Sequence, residues 1–316
     1  MDFAAKVVVI TGASRGLGLE LARQFAKERA HVVLLARHRE QLAEVARELE
    51  SIGARVTVLQ CDVTKEDGVR AGMASIIRDL GRVDVLINNA GIIQVGPAQH
   101  MDNDDFTEAM AVHFWAPLYL MRAVIPQMKR QGHGRIVNIA SIGAKIAFPH
   151  LLPYTASKFA LAGLSEGLRT ELAQDGIYVT TVSPGLMRTG SHVNALFKGQ
   201  QRKEFALFSA ANAWISTSST RAARQIVEAC RYGSSELVIT PQAKLLRLLN
   251  GVLPNLVAEA LSLLSRVLPE PAGAEGDQLK RGWESQSVMA PSVLTRPADR
   301  ATDENNEELQ PALAKY

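Results

Sequence analysis

Only two cysteines, Cys61 and Cys230, occur in a chain of 316 residues. Two cannot make a disulfide framework or a zinc site, so no metal is expected and a reducing compartment fits. Aromatic residues make up only 5% of the chain, which leaves aliphatic side chains to build the core. A surplus of one charge is lacking too. With 35 Lys and Arg against 32 Asp and Glu, the net charge is +3, and no nucleic-acid partner follows from it. Met1–Ile10 has no basic stretch followed by a long apolar one, so no signal peptide is expected and the location read from it is cytoplasmic. Arg247, Glu259 and Arg266 interrupt the apolar stretch Leu245–Leu268, so it should not span a bilayer. It reads as two amphipathic helices, at about 241–268, split by Pro254. They would pack on the core or on another subunit, with docking on a membrane surface as the alternative.

What is present is a 47% hydrophobic composition, enough to bury a sizeable core and to exclude disorder of the whole chain. Short β-branched runs alternate with helical patterns. Val7–Ile10, His31–Ala36, Arg55–Gln60, Val83–Asn88, Arg135–Ala140 and Tyr178–Ser183 read as strands, and Leu17–Arg29 and Glu40–Ile52 as helices. Continuous Val/Ile/Leu runs suggest strands covered on both faces. Alternating βα units imply a doubly wound, Rossmann-like parallel sheet, with ligands at the carboxyl ends of the strands. One domain is expected over 1–269. Met187–Ser209 reads as a long lid-like connection, and 270–316, without apolar periodicity, as a low-order tail dispensable for folding.

Thr11-Gly12-Ala13-Ser14-Arg15-Gly16-Leu17-Gly18 joins the first strand to the first helix. Glycine permits a sharp bend and close approach of a ligand, and the free N–H groups of a helix start attract phosphate. The spacing is Gly-x3-Gly-x-Gly rather than Gly-x-Gly-x2-Gly, and the turn could equally be a plain turn. The second strand ends Leu34-Leu35-Ala36-Arg37-His38-Arg39. An acid there would bind a free ribose 2′-hydroxyl, whereas arginine suits a 2′-phosphate. Arg37, with Arg15 inside the turn, therefore points to NADP(H). Further along, Tyr154 and Lys158 stand one helical turn apart, and Ser141 ends the strand Ile136–Ala140. A phenol beside an ammonium is a tunable proton-transfer unit.

Together these features resemble the short-chain dehydrogenase/reductase family, of the classical type, over roughly Lys6–Thr240. The likeness rests on the glycine turn, Asp62 after the third strand, Asn88-Asn89-Ala90-Gly91 after the fourth, Ser141, Tyr154 with Lys158, and Ser183-Pro184-Gly185. It implies Tyr154 as general acid in carbonyl reduction and base in alcohol oxidation. Lys158 would lower the pKa of Tyr154 and hold the nicotinamide ribose, and Ser141 would bind the substrate oxygen. Gly12, Ser14, Arg15, Gly16, Leu17 and Gly18 would line the phosphates and adenosine ribose. Asp62 and Val63 would meet the adenine. Asn89, Ala90, Gly91, Pro184, Gly185 and Thr189 would lie along the rest of the cofactor.

One position departs from the family. His113, in Ala111-Val112-His113-Phe114-Trp115, stands where an Asn completes the catalytic tetrad. The expectation is that His113 joins a water-linked relay to Lys158 and adds an ionisation in the histidine range, or else simply packs. Met187, Val193, Leu196, Phe197, Phe205 and Phe208, with Phe148, Pro149, Leu151 and Leu152, suggest an apolar substrate cleft. The expected protein is an NADP(H)-dependent oxidoreductase acting on a small, apolar carbonyl or alcohol, as a homodimer or homotetramer. A cofactor-binding regulator, or a membrane-surface protein with little turnover, is the alternative.

Overall fold

The computed structural model describes residues 1–214, 216–286 and 301–307. Seven strands form one sheet: β1 (Val7–Thr11), β2 (His31–Ala36), β3 (Arg55–Gln60), β4 (Val85–Asn88), β5 (Gly134–Ile139), β6 (Ile177–Pro184) and β7 (Glu236–Ile239). Their order is β7-β6-β5-β4-β1-β2-β3, and every pairing is parallel. This is the doubly wound α/β fold expected from the unbroken aliphatic runs. β1 lies between β4 and β2, so the winding reverses beside β1 and opens a crevice at the carboxyl edge.

Two layers of helices account for the absence of a polar strand face. Val8 and Ile10 of β1 point into a core shared with Leu21 and Phe25 of α1 (Gly16–Lys27) and Leu42 and Leu49 of α2 (Arg39–Ser51). Val7 and Val9 point the other way. They meet Met73 of α3 (Glu66–Leu80) and, beyond α4 (Asn103–Met110), Leu120 and Met121 of α5 (Ala116–Gln131) and Leu172 of α6 (Leu152–Leu172).

The region from Met187 onward differs from the lid-like loop expected. After two residues of strand at Leu196–Phe197, helix α7 (Gln201–Trp214) begins. Phe197 and Phe205 pack edge to face, ring centroids 5.6 Å apart, in a small core of their own. Aromatic packing, rather than chain flexibility, holds this segment. α8 (Ser219–Tyr232) returns to the main core through Ala222, Ala223, Ile226 and Val227.

Two helices follow β7, α9 (Pro241–Val252) and α10 (Pro254–Ser265), broken at Pro254 as the sequence implies. α10 buries no residue, and Leu256 and Leu263 stand exposed. Among the described residues no helix is long and apolar enough to cross a membrane.

In its described parts the segment read as a low-order tail makes defined contacts. Lys280–Arg281 pairs antiparallel with Leu196–Phe197, and within Ala301–Glu307 the residues Ala301, Thr302, Asn305 and Glu307 are buried.

 The segment carries polar and small side chains held by hydrogen bonds rather than by an apolar stripe, so periodicity could not reveal it. Residues 287–300 and 308–316, the rest of that expected tail, lie outside the described residues.

Candidate active site

The carboxyl edge of the sheet is tied together at its centre. Thr11 Oγ1, at the end of β1, accepts hydrogen bonds from the Asn89 and Ala90 N–H groups at 2.9 and 3.0 Å. Asn89 Nδ2 donates back to Thr11 O at 2.9 Å. The glycine turn is thereby clamped to the end of β4. Gly12 has φ +63°, and a Cβ there would meet Ala90 Cα at 3.0 Å. Gly18 faces Gly12 O so closely that a Cβ would collide with it. Both positions require glycine for that reason.

One cavity of about 1030 Å³ runs along this edge. Gly12, Ser14, Arg15, Gly16 and Leu17 line it at one end, with Arg37, Asp62 and Val63 beside them. Asn89, Ala90, Gly91, Pro184, Gly185 and Thr189 line its middle, and Ser141, Tyr154, Lys158 and His113 its floor. Of the residues expected to bind the cofactor or to act in catalysis, Gly18 alone does not face the cavity, because it packs beneath the turn. Asp62 Oδ1 accepts from Thr64 N–H and Oγ1 at 3.0 and 2.8 Å, which fixes the bend after β3.

Sequence reasoning missed Arg281. It lines the same cavity and reaches it through the Lys280–Arg281 strand pairing. Its charge is felt at His38: burial first, then Arg37, Arg15 and Arg281, push that imidazole below its ordinary range. Three arginines thus surround one end of the crevice, a field suited to phosphate. Nothing local in Leu279-Lys280-Arg281-Gly282 signals this, since the placement comes from the pairing with a distant strand.

Tyr154 and Lys158 lie in the first two turns of α6. Lys158 Nζ donates to Ile139 O at 2.8 Å and sits 5.7 Å from the centroid of the Tyr154 ring. Burial brings its ammonium down to about 7. Burial likewise pushes the Tyr154 phenol up, against a hydrogen bond from Ser141 that favours the phenolate. The direction for Tyr154 is opposite to that expected from a neighbouring ammonium. A lysine desolvated this far carries only part of a charge near neutrality, so its pull on the phenol is weak. Ser141 Oγ accepts from Gly143 N–H at 3.0 Å, which fixes its rotamer.

The direct partners of His113 are Ile92 and Ser157. The π-turn Ala111–Trp115 carries it inward. Its Nε2 accepts from Ile92 N–H at 3.1 Å, so the ring proton is on Nδ1, 2.7 Å from Ser157 Oγ. Ser157 in turn donates to Tyr154 O at 2.8 Å. The imidazole stands edge-on to the Tyr154 ring, centroids 5.4 Å apart at 90°. Burial, then the Lys158 charge, lower its pKa well below the ordinary value. The ring therefore stays neutral, and no added ionisation is expected from it. His113→Ala should cost about 1–3 kcal/mol of stability, because the part-buried Ile92 N–H loses its acceptor. Ring nitrogen shifts measured by NMR should stay constant between about pH 5 and 8. A titration in that interval would restore the relay.

The apolar cleft is partly as expected. Phe148, Pro149, Leu151, Met187, Leu196 and Phe208 line the cavity. Phe197 and Phe205 are instead core, and Leu152 is exposed. A part-buried polar pair interrupts the apolar wall: His150 Nδ1 lies 2.8 Å from Glu204 Oε1.

The family model for short chain dehydrogenases matches residues 6–198, and the chain belongs to that family. It is 38% identical over 181 residues to gluconate 5-dehydrogenase from Gluconobacter oxydans, covering 57% of this chain and 71% of that one. It is 41% identical over 196 residues to dehydrogenase/reductase SDR family member 7B from Bos taurus, covering 60% of each. Among solved structures, L-sorbose reductase from Gluconobacter frateurii, complexed with NADPH and L-sorbose, superposes with a TM-score of 0.68 at 31% identity. That match covers 76% of this chain and 97% of the other. A metagenomic short-chain oxidoreductase in complex with NADP gives a TM-score of 0.57 at 37% identity, covering 58% and 84%.

Proposed function

We propose that the protein is an NADP(H)-dependent oxidoreductase that interconverts a carbonyl and a secondary alcohol on a small, mainly apolar molecule. The observation that carries this reading is the convergence of Ser141, Tyr154 and Lys158 on the cavity that also holds the glycine turn. The residues present fit a dinucleotide. Gly12 and Gly16 at φ +63° and +59° open the backbone to close approach, and Arg15, Arg37 and Arg281 supply the charge a 2′-phosphate needs. Bound there, the nicotinamide would supply or take up the hydride.

The chain's own groups supply proton transfer and alignment. The raised phenol of Tyr154 keeps its proton at neutral pH, as an acid for carbonyl reduction must. Ser141, held by Gly143 N–H, offers its hydroxyl to the substrate oxygen. Lys158 fixes the strand end at Ile139 O beneath the phenol, and His113 and Ser157 hold the first turn of α6 by the Tyr154 carbonyl. Phe148, Leu151 and Phe208 favour an apolar body on the substrate, and the His150–Glu204 pair offers it one polar contact.

The test is a panel of ketones, aldehydes and alcohols followed by NADPH absorbance, together with binding of both cofactors. The unaltered protein should prefer NADPH over NADH, and Arg37→Asp should reverse the preference. Losing the charged contact to a 2′-phosphate should weaken NADPH by about tenfold or more. Equal affinity of the unaltered protein for the two cofactors would remove the NADP reading.

A further inference from the structure

The segment Ala301–Glu307 belongs to no element of the sheet, yet it lies across the phosphate end of the cavity. Gly16, the first residue of α1, donates its N–H to Asn305 O at 2.8 Å. Glu307 turns its carboxylate to Arg15, with Nε to Oε2 at 3.4 Å. The same carboxylate accepts from Asn194 Nδ2, which also reaches Glu307 O at 2.9 Å. Glu307 Oε1 lies 2.6 Å from where a Gly16 Cβ would stand, so the absence of a side chain at Gly16 makes room for it. Gly190, at φ +85°, does the same for Thr302 and the Glu307 stem. Ser219 Oγ to Asn305 Oδ1 at 3.1 Å and Arg23 Nη1 to Glu304 O at 3.1 Å anchor the rest.

These contacts use the atoms that a bound phosphate would use. An anion at a helix start beside an arginine is favoured by the free N–H groups, the helix dipole and the guanidinium together. A carboxylate and a phosphate satisfy the same donors, and two anions would repel one another there. We propose that Ala301–Glu307 is a tethered competitor for the cofactor's phosphates, with Glu307 standing where a phosphate would sit, so that cofactor binding displaces the segment. The proposal rests on the glycine turn being the phosphate site of the function proposed above.

The consequence is quantitative. When only a fraction of molecules has the segment released, the apparent dissociation constant is the intrinsic one divided by that fraction. Weakening the latch should therefore tighten cofactor binding, the reverse of what loss of a site residue does.

The experiment uses the full chain and reads binding, not turnover. Dissociation constants for NADPH are measured by calorimetry for the unaltered protein, Glu307→Gln and Glu307→Arg. Glu307→Gln should tighten binding by about threefold or more, and Glu307→Arg, which repels Arg15, by about tenfold or more. Independently, saturating NADPH should speed hydrogen exchange in 301–307 of the unaltered protein. Unchanged or weaker binding in both variants overturns the proposal, as does exchange that is unchanged or slowed, since the segment would then cover a bound cofactor rather than compete with it. If none of the three chains binds NADPH or NADH, the cofactor reading itself falls, and the competitor with it.

Discussion

Tyr154→Phe should abolish most turnover while leaving the fold and cofactor binding in place. The phenyl ring keeps the volume that packs edge-on against His113, and the substitution leaves the backbone bond from Ser157 to Tyr154 O intact. What goes is the hydroxyl, and with it the only proton at that point of the cavity that the raised phenol holds ready at neutral pH. Positioned general acids contribute about 10²–10⁴ in rate, so kcat should fall by that factor. The NADPH dissociation constant and the melting temperature should hardly move. Steady-state kinetics, calorimetry and a thermal melt on the same preparation decide it. Retention of more than a tenth or so of kcat would assign the proton to another group.

The architecture was legible because its signals are local. Val7–Ile10 and His31–Ala36 are apolar on both faces, and a strand buried on both sides has no other pattern available. The glycine turn was legible for the same reason: Gly12 and Gly18 are demanded by contacts within a few residues or at the end of the adjoining strand. Tyr154 and Lys158 sit one turn apart on α6, so their proximity follows from helical geometry alone.

What could not be read depends on partners far along the chain. Arg281 reaches the crevice only because Lys280–Arg281 pairs with Leu196–Phe197. His113 could be placed near Tyr154, but not its tautomer, which Ile92 N–H fixes. Glu307 lies in a stretch without apolar periodicity and is buried through hydrogen bonds to Asn194 and the charge of Arg15. Hydropathy patterns register burial of apolar groups and pass over burial of this kind.

Asp84 gives the second large effect, at the opposite edge of the sheet. It is fully buried where β4 begins. Its Oδ2 accepts from Val7 N–H at 2.9 Å and from Arg82 Nε at 2.7 Å, and its Oδ1 meets His133 Nε2 at 2.9 Å. One carboxylate thus joins the starts of β1 and β4 to the residue preceding β5. Burial alone would raise its pKa, but the bonds from Arg82, Val7 and His133 outweigh it and hold the carboxyl below its ordinary range. Because the folded-state pKa is depressed, the stabilisation is present above the unfolded value of about 3.9 and is lost as pH falls through the folded one. Asp84→Ala removes the acceptor from a buried N–H and from a partly buried arginine. Removing one partner of such a network costs about 3–5 kcal/mol when both sides are dry. Arg82 is partly solvated here, so about 3 kcal/mol is expected, read from urea unfolding near neutral pH. Since this edge lies across the sheet from Ser141 and Tyr154, kcat per folded molecule should be unchanged. A loss below about 1 kcal/mol would mean that water replaces the carboxylate without penalty, and that the strand starts are held by the ladder bonds alone.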